Sequence, residues 1–281
     1  PSGGVAIHGS AAFNTTKPNK LVVTTQNGAG TSHSAINWNS FSIGAGKTTQ
    51  FVQPGASSMS INRVVTNTPS ELFGTLSSNG RLVLVNQSGI AVGAGAVVDT
   101  AGFTASALSM SEADAIAGRL RFGGAGFADY SGVLTVQGNL IARGGDVVLI
   151  APNIDLAKTA VVEAEGGSVM LAAGQGVEVT GRGLEGITMQ VQAPADKAVN
   201  LGTLKGDAVG IFAGNLKHSG SIQATTATTE GGKVVLKAAG LLDIDGQVNA
   251  TGTGGKGGVI HATADKAQDG RSGCQWRKRW R

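Results

Sequence analysis

Along most of this 281-residue chain, apolar and polar residues alternate in runs of four to six, each run ended by Gly or Asn. A period of two in β-branched residues predicts short strands with one face buried. In the second half the runs repeat. Gly145-x-Val147-x-Leu149, Gly167-x-Val169-x-Leu171 and Gly232-x-Val234-x-Leu236 are one phrase at intervals of 22 and 65 residues, and 65 reads as three steps of about 22. Glu185-x-Ile187-x-Met189 and Gly206-x-Ala208 read as weaker copies in the gap, with a further copy at Gly257-x-Val259. A second phrase, apolar-x-Ala, precedes several of these: Leu140-x-Ala142, Val162-x-Ala164, Ile222-x-Ala224 and Val248-x-Ala250. The stretch between the two phrases lengthens at TTATTE and TGTGGK, so one corner of the unit accepts loop insertions.

A unit of two or three short strands cannot bury its apolar face alone, but stacked copies can, each strand pairing with its equivalent one coil away. The expectation is a parallel β-helix with Val147, Val169 and Val234 in one interior ladder, and Gly at corners that need left-handed backbone. A β-sandwich or propeller is the weaker alternative, because such folds rarely repeat a motif in register. At about 4.8 Å per coil, a dozen coils would make a rod on the order of 60 Å long. The first half is strand-like but less regular, as in VAIHGSAAF, LVVTTQ and RLVLVN. One segment departs from the alternation. Ala113, Ile116, Ala117 and Leu120 fall at helical spacing, and Ser111 with Asp114 resembles a capping box, so a short helix is expected over 111–120.

Composition sharpens this. Gly is abundant, 45 residues, yet six Pro and no three-residue period exclude collagen. The net charge of +4 is misleading: residues 271–281 (RSGCQWRKRWR) hold five Lys/Arg and no acid, leaving −1 on residues 1–270. A body without a basic face is not built for nucleic acid, and no nucleic-acid partner is expected. No apolar run approaches a membrane helix, and PSGGVAIHGS lacks the features of a signal peptide.

His8, His33, His218 and His261 are far apart in sequence and read as solvated or turn residues, so no metal or other cofactor is expected. GIAVGAGAVVDTAG has Val98 where a dinucleotide loop needs its third Gly, and strand rather than helix follows. A β-helical carbohydrate-active enzyme needs facing acids with aromatics for sugar rings. Asp146, Asp155, Glu163 and Glu165 are near one another in sequence, but only Phe127 and Tyr130 lie close, so these acids read as solvated charge and no catalytic residue is assigned.

Residues 34–108 carry a specific resemblance. The stretches Trp38 to Gly44, Phe51 to Pro54, Ile61 to Val64, Gly74 to Gly80, Leu84 to Ile90, Gly95 to Val98 and Gly102 to Ser106 follow in order the pattern of one family. That pattern is W-x-S-F-x-I-G, F-x-Q-P, L-N-R-V, G-x-L-x-x-N-G, L-x-N-P-N-G-I, G-A-x-V and G-x-x-A-S. It resembles the N-terminal secretion domain of two-partner-secretion exoproteins, the filamentous-haemagglutinin-like family of Gram-negative bacteria. The resemblance implies an all-β fold, a right-handed parallel β-helix with an N-terminal cap, to which the residue pattern adds one short helix. It implies a non-enzymatic secretion and folding module of a larger surface protein, monomeric and passed through the periplasm to the cell surface. Its partner would be an Omp85-type outer-membrane transporter, acting through periplasmic POTRA domains, and the full-length protein would have a host or neighbouring-cell receptor. A carbohydrate-active enzyme, or an adhesin segment that binds ligand itself, is the alternative.

The residues singled out for transporter recognition or turn shaping are Asn62, Arg63, Asn79, Gly80, Asn86, Gly89 and Ile90. The family's N-P-N-G-I is here Asn86-Gln87-Ser88-Gly89-Ile90, without the Pro and the second Asn. Asn86 can still bond its own turn and Gly89 can supply a positive φ, so a structural role stands beside recognition. By segment, 1–130 is expected to form the secretion domain's cap and first coils, 131–265 regular coils, and 266–281 an atypical basic tail. Read one base along in a plausible codon set, the last residues become Ala-, Asn- and Gly-rich turn sequence, so the tail is read as a frameshifted or otherwise non-native terminus.

Overall fold

The computed structural model describes residues 1–124, 132–227, 231–252 and 257–269. The chain winds as a right-handed parallel β-helix with three faces. The first face runs Lys20–Gln26, Thr48–Val52, Thr75–Ser78, Val97–Thr100 and Asn139–Arg143, then the first halves of Val161–Ala173 and Thr203–Ala213, then Ser221–Thr226 and Gln247–Gly252. The second face runs His33–Trp38, Met59–Val64, Arg81–Val85, Gly102–Ser106 and Val147–Ala151, then the second halves of the same long strands, then Lys233–Ala238 and Val259–Thr263. A third, eight-stranded face runs from Ser70–Leu72 to Lys266–Asp269. At about 4.8 Å per coil this is roughly 40 Å of stack, shorter than the dozen coils expected, because 107–124 and 174–196 leave the helix as excursions. Coil pairing continues through Asp269, four residues into the segment read as tail; residues 270–281 lie outside the described residues.

Register accounts for the interior. Leu82, Phe103, Val147, Val169, Val209, Val234 and Ile260 stand opposite one another on successive coils of the second face. All but the last are essentially inaccessible. Each fully buried aliphatic side chain contributes about 1.5–3 kcal/mol, so the ladder is a main source of stability. The apolar-x-Ala phrase forms the matching ladder on the first face: Leu140, Val162, Leu204, Ile222 and Val248.

Three expectations need correction. Val169 pairs with Val209 and Val209 with Val234, so two steps rather than three fill the gap. Ile187 and Met189 are not coil residues but belong to an antiparallel side sheet of Leu120–Gly123, Gly176–Val179 and Ile187–Val191. Ala208 and Val259 are one residue out of register, opposite Ser168 and Lys233, and a one-residue slip turns a side chain to the other face.

The helix spans Glu112–Ala117, shorter than expected but capped as read: Ser111 Oγ accepts the Asp114 N–H at 3.0 Å, and Gly118 ends it at φ +70°. Its apolar stripe does not face inward. Ala115 is the buried residue, while Ala113 and Ala117 are exposed and Ile116 is 39% exposed. One small residue lets so short a helix lie close on the sheet, and its acids are occupied elsewhere.

Two antiparallel strands close the N-terminal end. Val5–His8 pairs with His33–Trp38, and Ser10–Lys17 with Lys20–Gln26. Beneath them Trp38, Phe41 and Phe51 form an aromatic plug in the core, Trp38 meeting Phe41 edge-on at 5.4 Å and Phe41 stacking on Phe51, while the exposed Phe13 lies edge-on to Trp38 at 5.2 Å. A second apolar cluster lies outside the helix, where Ile61, Val83, Val148 and Met170 on the outer side of the second face meet Ala115, Phe122, Val177 and Leu184.

Candidate functional site

The seven residues singled out from sequence fall in three environments. Asn62 is 1% exposed, on the inner side of Met59–Val64. Its Oδ1 accepts the Trp38 indole N–H at 2.9 Å, and its Nδ2 donates to the Ser60 carbonyl at 3.0 Å. Arg63, next along the strand, points outward. Its Nε donates to the Met110 carbonyl at 3.0 Å and its Nη1 to Asn37 Oδ1 at 2.8 Å, with Glu112 at 3.6 Å. Asn37 in turn donates to Glu112. The arginine thus ties the helix and its leading loop to the second face; burial pulls its basicity down and Glu112 opposes that.

Asn79 and Gly80 form the corner between the first and second faces. The Asn79 amide makes two 2.8 Å bonds to the backbone of Gln53 one coil earlier, accepting from its N–H and donating to its carbonyl. Gln53 Nε2 donates to Ser78 Oγ and the Arg81 carbonyl, and a Cβ at Gly80 would come within 2.6 Å of that side chain. A side chain at Gly80 would push the Gln53 amide out of these bonds.

Asn86, Gly89 and Ile90 form the corner between the second and third faces. Asn86 is fully buried and bridges three coils. Its Nδ2 donates to the Thr68 carbonyl and Ser70 Oγ of the preceding coil, both at 2.9 Å. Its Oδ1 accepts Ser88 N–H at 3.0 Å, and its own N–H bonds Ser106 of the following coil. Gly89 turns the chain at φ +106°, and Ile90 enters the core between Ser70 and Leu134. The turn chemistry of Asn and Gly therefore survives without the family's Pro. A shallow groove of about 160 Å³ lies beside this corner, lined by Arg63, Val64, Val65, Val85, Gln87 and Met110. Arg63 and the Asn86 turn share that groove; Asn79 and Gly80 are at a different corner.

Other polar residues were not anticipated in these roles. His8 and His33 stack at 4.4 Å with ring planes 22° apart, and His33 Nε2 bonds the Ile116 carbonyl at 2.9 Å. Their separation of 25 residues becomes proximity only once strand pairing at the cap is known. Burial, then the His33 ring, lowers the basicity of His8. His218 is inside the core, its Nδ1 3.1 Å from the Asn200 amide nitrogen and its Nε2 3.1 Å from the Gln247 carbonyl. Burial lowers its basicity, offset in part by the bond to Gln247. These partners fix the neutral tautomer, with Nε2 donating and Nδ1 accepting. Asp146 is not solvated charge: it accepts the Ser168 and Gly183 N–H groups at 2.8 and 3.1 Å. Among the described residues no three His, Cys, Asp or Glu gather as a metal site would require, and no helix is long and apolar enough to cross a membrane. Phe127, Tyr130 and Cys274 lie outside the described residues.

The chain matches the family model of the TPS secretion domain over residues 2–271. It is similar in structure to the HMW1 secretion domain from Haemophilus influenzae, with a TM-score of 0.86 and 29% identity, covering 95% of this chain and 71% of that one. It shares the fold of the filamentous hemagglutinin secretion domain, with a TM-score of 0.57 and 15% identity over 96% of this chain and 98% of that one. Two curated relatives, both heme/hemopexin-binding proteins of Haemophilus influenzae, are 34% and 30% identical over 105 and 99 residues. Those alignments cover 37% and 35% of this chain but only 11% and 10% of the relatives.

Proposed function

The chain belongs to the TPS secretion-domain family, and from that premise we propose that it is the secretion and folding-nucleating module of a much longer exported surface protein. The family is a secretion domain of adhesin-like exoproteins of Gram-negative bacteria, and membership implies a cognate transporter. We infer that this transporter is an Omp85-type barrel, that its periplasmic POTRA domains meet the chain while it is extended, and that folding follows on the cell surface. The observation that carries the reading is a capped parallel β-helix coinciding with a family match across nearly the whole chain. A capped solenoid grows by adding coils at one end.

For Asn62, Arg63, Asn79, Gly80, Asn86, Gly89 and Ile90, transporter recognition stands beside turn shaping and would act on the extended chain, since folding consumes the Asn62 and Asn86 side chains internally. Haem or hemopexin binding, named for the curated relatives, is not carried over to this chain, because the shared stretch is about a tenth of their length. The test is coexpression with the cognate transporter. Deleting residues 34–108 should abolish release to the medium; undiminished release would overturn the assignment.

A further inference from the structure

We propose that the side sheet is a folding clasp that joins the first coils, down to Ala173, into one cooperative unit that closes only when residues up to Val191 are available. This rests on the secretion reading and adds an order of events to it.

The side sheet holds the pairing of longest sequence separation among the described strands. In the coils, partners lie 18 to 44 residues apart, as for Thr203 with Ser221 and Phe103 with Val147. The strand Leu120–Gly123 leaves the helix after Gly102–Ser106 and cannot pair there. Its partner, Gly176–Val179, is 57 residues on from Arg121 to Glu178 and comes only after two further coils have wound. The third strand, Ile187–Val191, then closes the sheet. Until this happens, the outer side of the second face is only partly covered: Ala115 of the helix belongs to the same cluster as Ile61, Val83, Val148 and Met170, and Phe122, Val177 and Leu184 complete it. Phe122 is wholly buried there.

Polar contacts fix where the clasp closes. The Asp146 carboxylate, on one of the intervening coils, takes the Ser168 N–H of the next coil and the Gly183 N–H of the clasp. Arg182 Nη2 donates to the Gly144 carbonyl at 2.8 Å and lies 3.4 Å from that of Gly166, reading two stacked turns at once. Arg121 pairs with Glu178 at 3.1 Å across the first two clasp strands. These bonds need both intervening coils in place, so closure reports that they have formed. From Lys197 onward the described chain has no such excursion, and the remaining coils add singly.

Hydrogen exchange of the full chain across a denaturant series tests this. Amides of Arg81–Val85, Gly102–Ser106 and Val147–Ala151 should share one opening with those of Leu120–Gly123 and Gly176–Val179. Ser221–Thr226 and Gln247–Gly252 should open separately and more readily. Phe122→Ala should speed exchange across the whole shared block by at least about a hundredfold and leave Ser221–Thr226 unchanged. Leu120→Ala, at a half-buried position, should give the same pattern more mildly if Phe122→Ala does not fold. Clasp amides that open alone, with the coils keeping their protection, would overturn the proposal. Export by the coexpressed transporter is scored separately: an unexported wild-type chain defeats the secretion reading, whatever the exchange pattern.

Discussion

Trp38 and Asn62, on adjacent coils, are joined by a 2.9 Å bond from the indole N–H to the amide oxygen, entirely inside the core. Asn62→Ala strands that N–H where water cannot reach it, at a cost of about 1–3 kcal/mol. A lower urea midpoint is expected. In a cycle with Trp38→Phe the two losses should be less than additive, because either change removes the same bond. Additive losses would mean that the pair is not coupled.

Asn86→Ala separates the two roles open to the second-third corner. If the residue only shapes the turn, the mutant loses about 1–3 kcal/mol, from three buried partners, and export falls no further than in an equally destabilised core mutant such as Val169→Ala. If the extended chain presents it to the transporter, export falls well below that benchmark. Matched unfolding and secretion measurements decide between these.

Acid should weaken the fold through His218. Its folded-state basicity lies below the unfolded value of about 6.5, so the unfolded chain takes up the proton first. The stabilisation from keeping the ring neutral is present above that value and is lost as pH falls below it. His8 acts in the same direction. The urea midpoint should drop between pH 7.5 and pH 5.5, and His218→Gln should shrink the drop. An unchanged pH dependence in that variant would count against His218 as its source.

Paired glycines at the coil corners should differ in tolerance. Gly166 sits at φ +66° with open space around it, so Gly166→Ala should cost about 1–2 kcal/mol for left-handed backbone. At Gly167 a Cβ would come within 2.1 Å of the Gly145 carbonyl oxygen, and the backbone of two coils would have to part. Gly167→Ala should therefore lower the thermal midpoint further than Gly166→Ala. The reverse order would contradict this account of the repeat.

That comparison also shows what could be read in advance. The repeated Gly145 and Gly167 are needed for close approach between coils and Gly232 for close approach to Ala224 within its own coil, while the left-handed corners are the preceding Gly144, Gly166 and Gly231. The repeat marked the corner; its cause needed the stack. Ile187 misled because period-two alternation is shared by coil strands and by an antiparallel side sheet. Ser111 and Asp114 were legible because capping is local, whereas the inward side of the helix depended on what Ala115 met. Asn62 and Asn86 were found from pattern, but that their side chains are used up indoors followed only from three-dimensional register. The His8–His33 stack left no local signal at all.

The antiparallel cap has a consequence for assembly. A parallel solenoid with two bare ends is a fibre subunit, since identical units can join head to tail without limit. Here one end is sealed by reversed strands, and the outer one carries Lys17 and a register shift between Asn14 and Lys17, features that discourage further pairing. At the capped end the stack therefore behaves like a stopped polymer, offering a second copy no open strand edge on which to continue it.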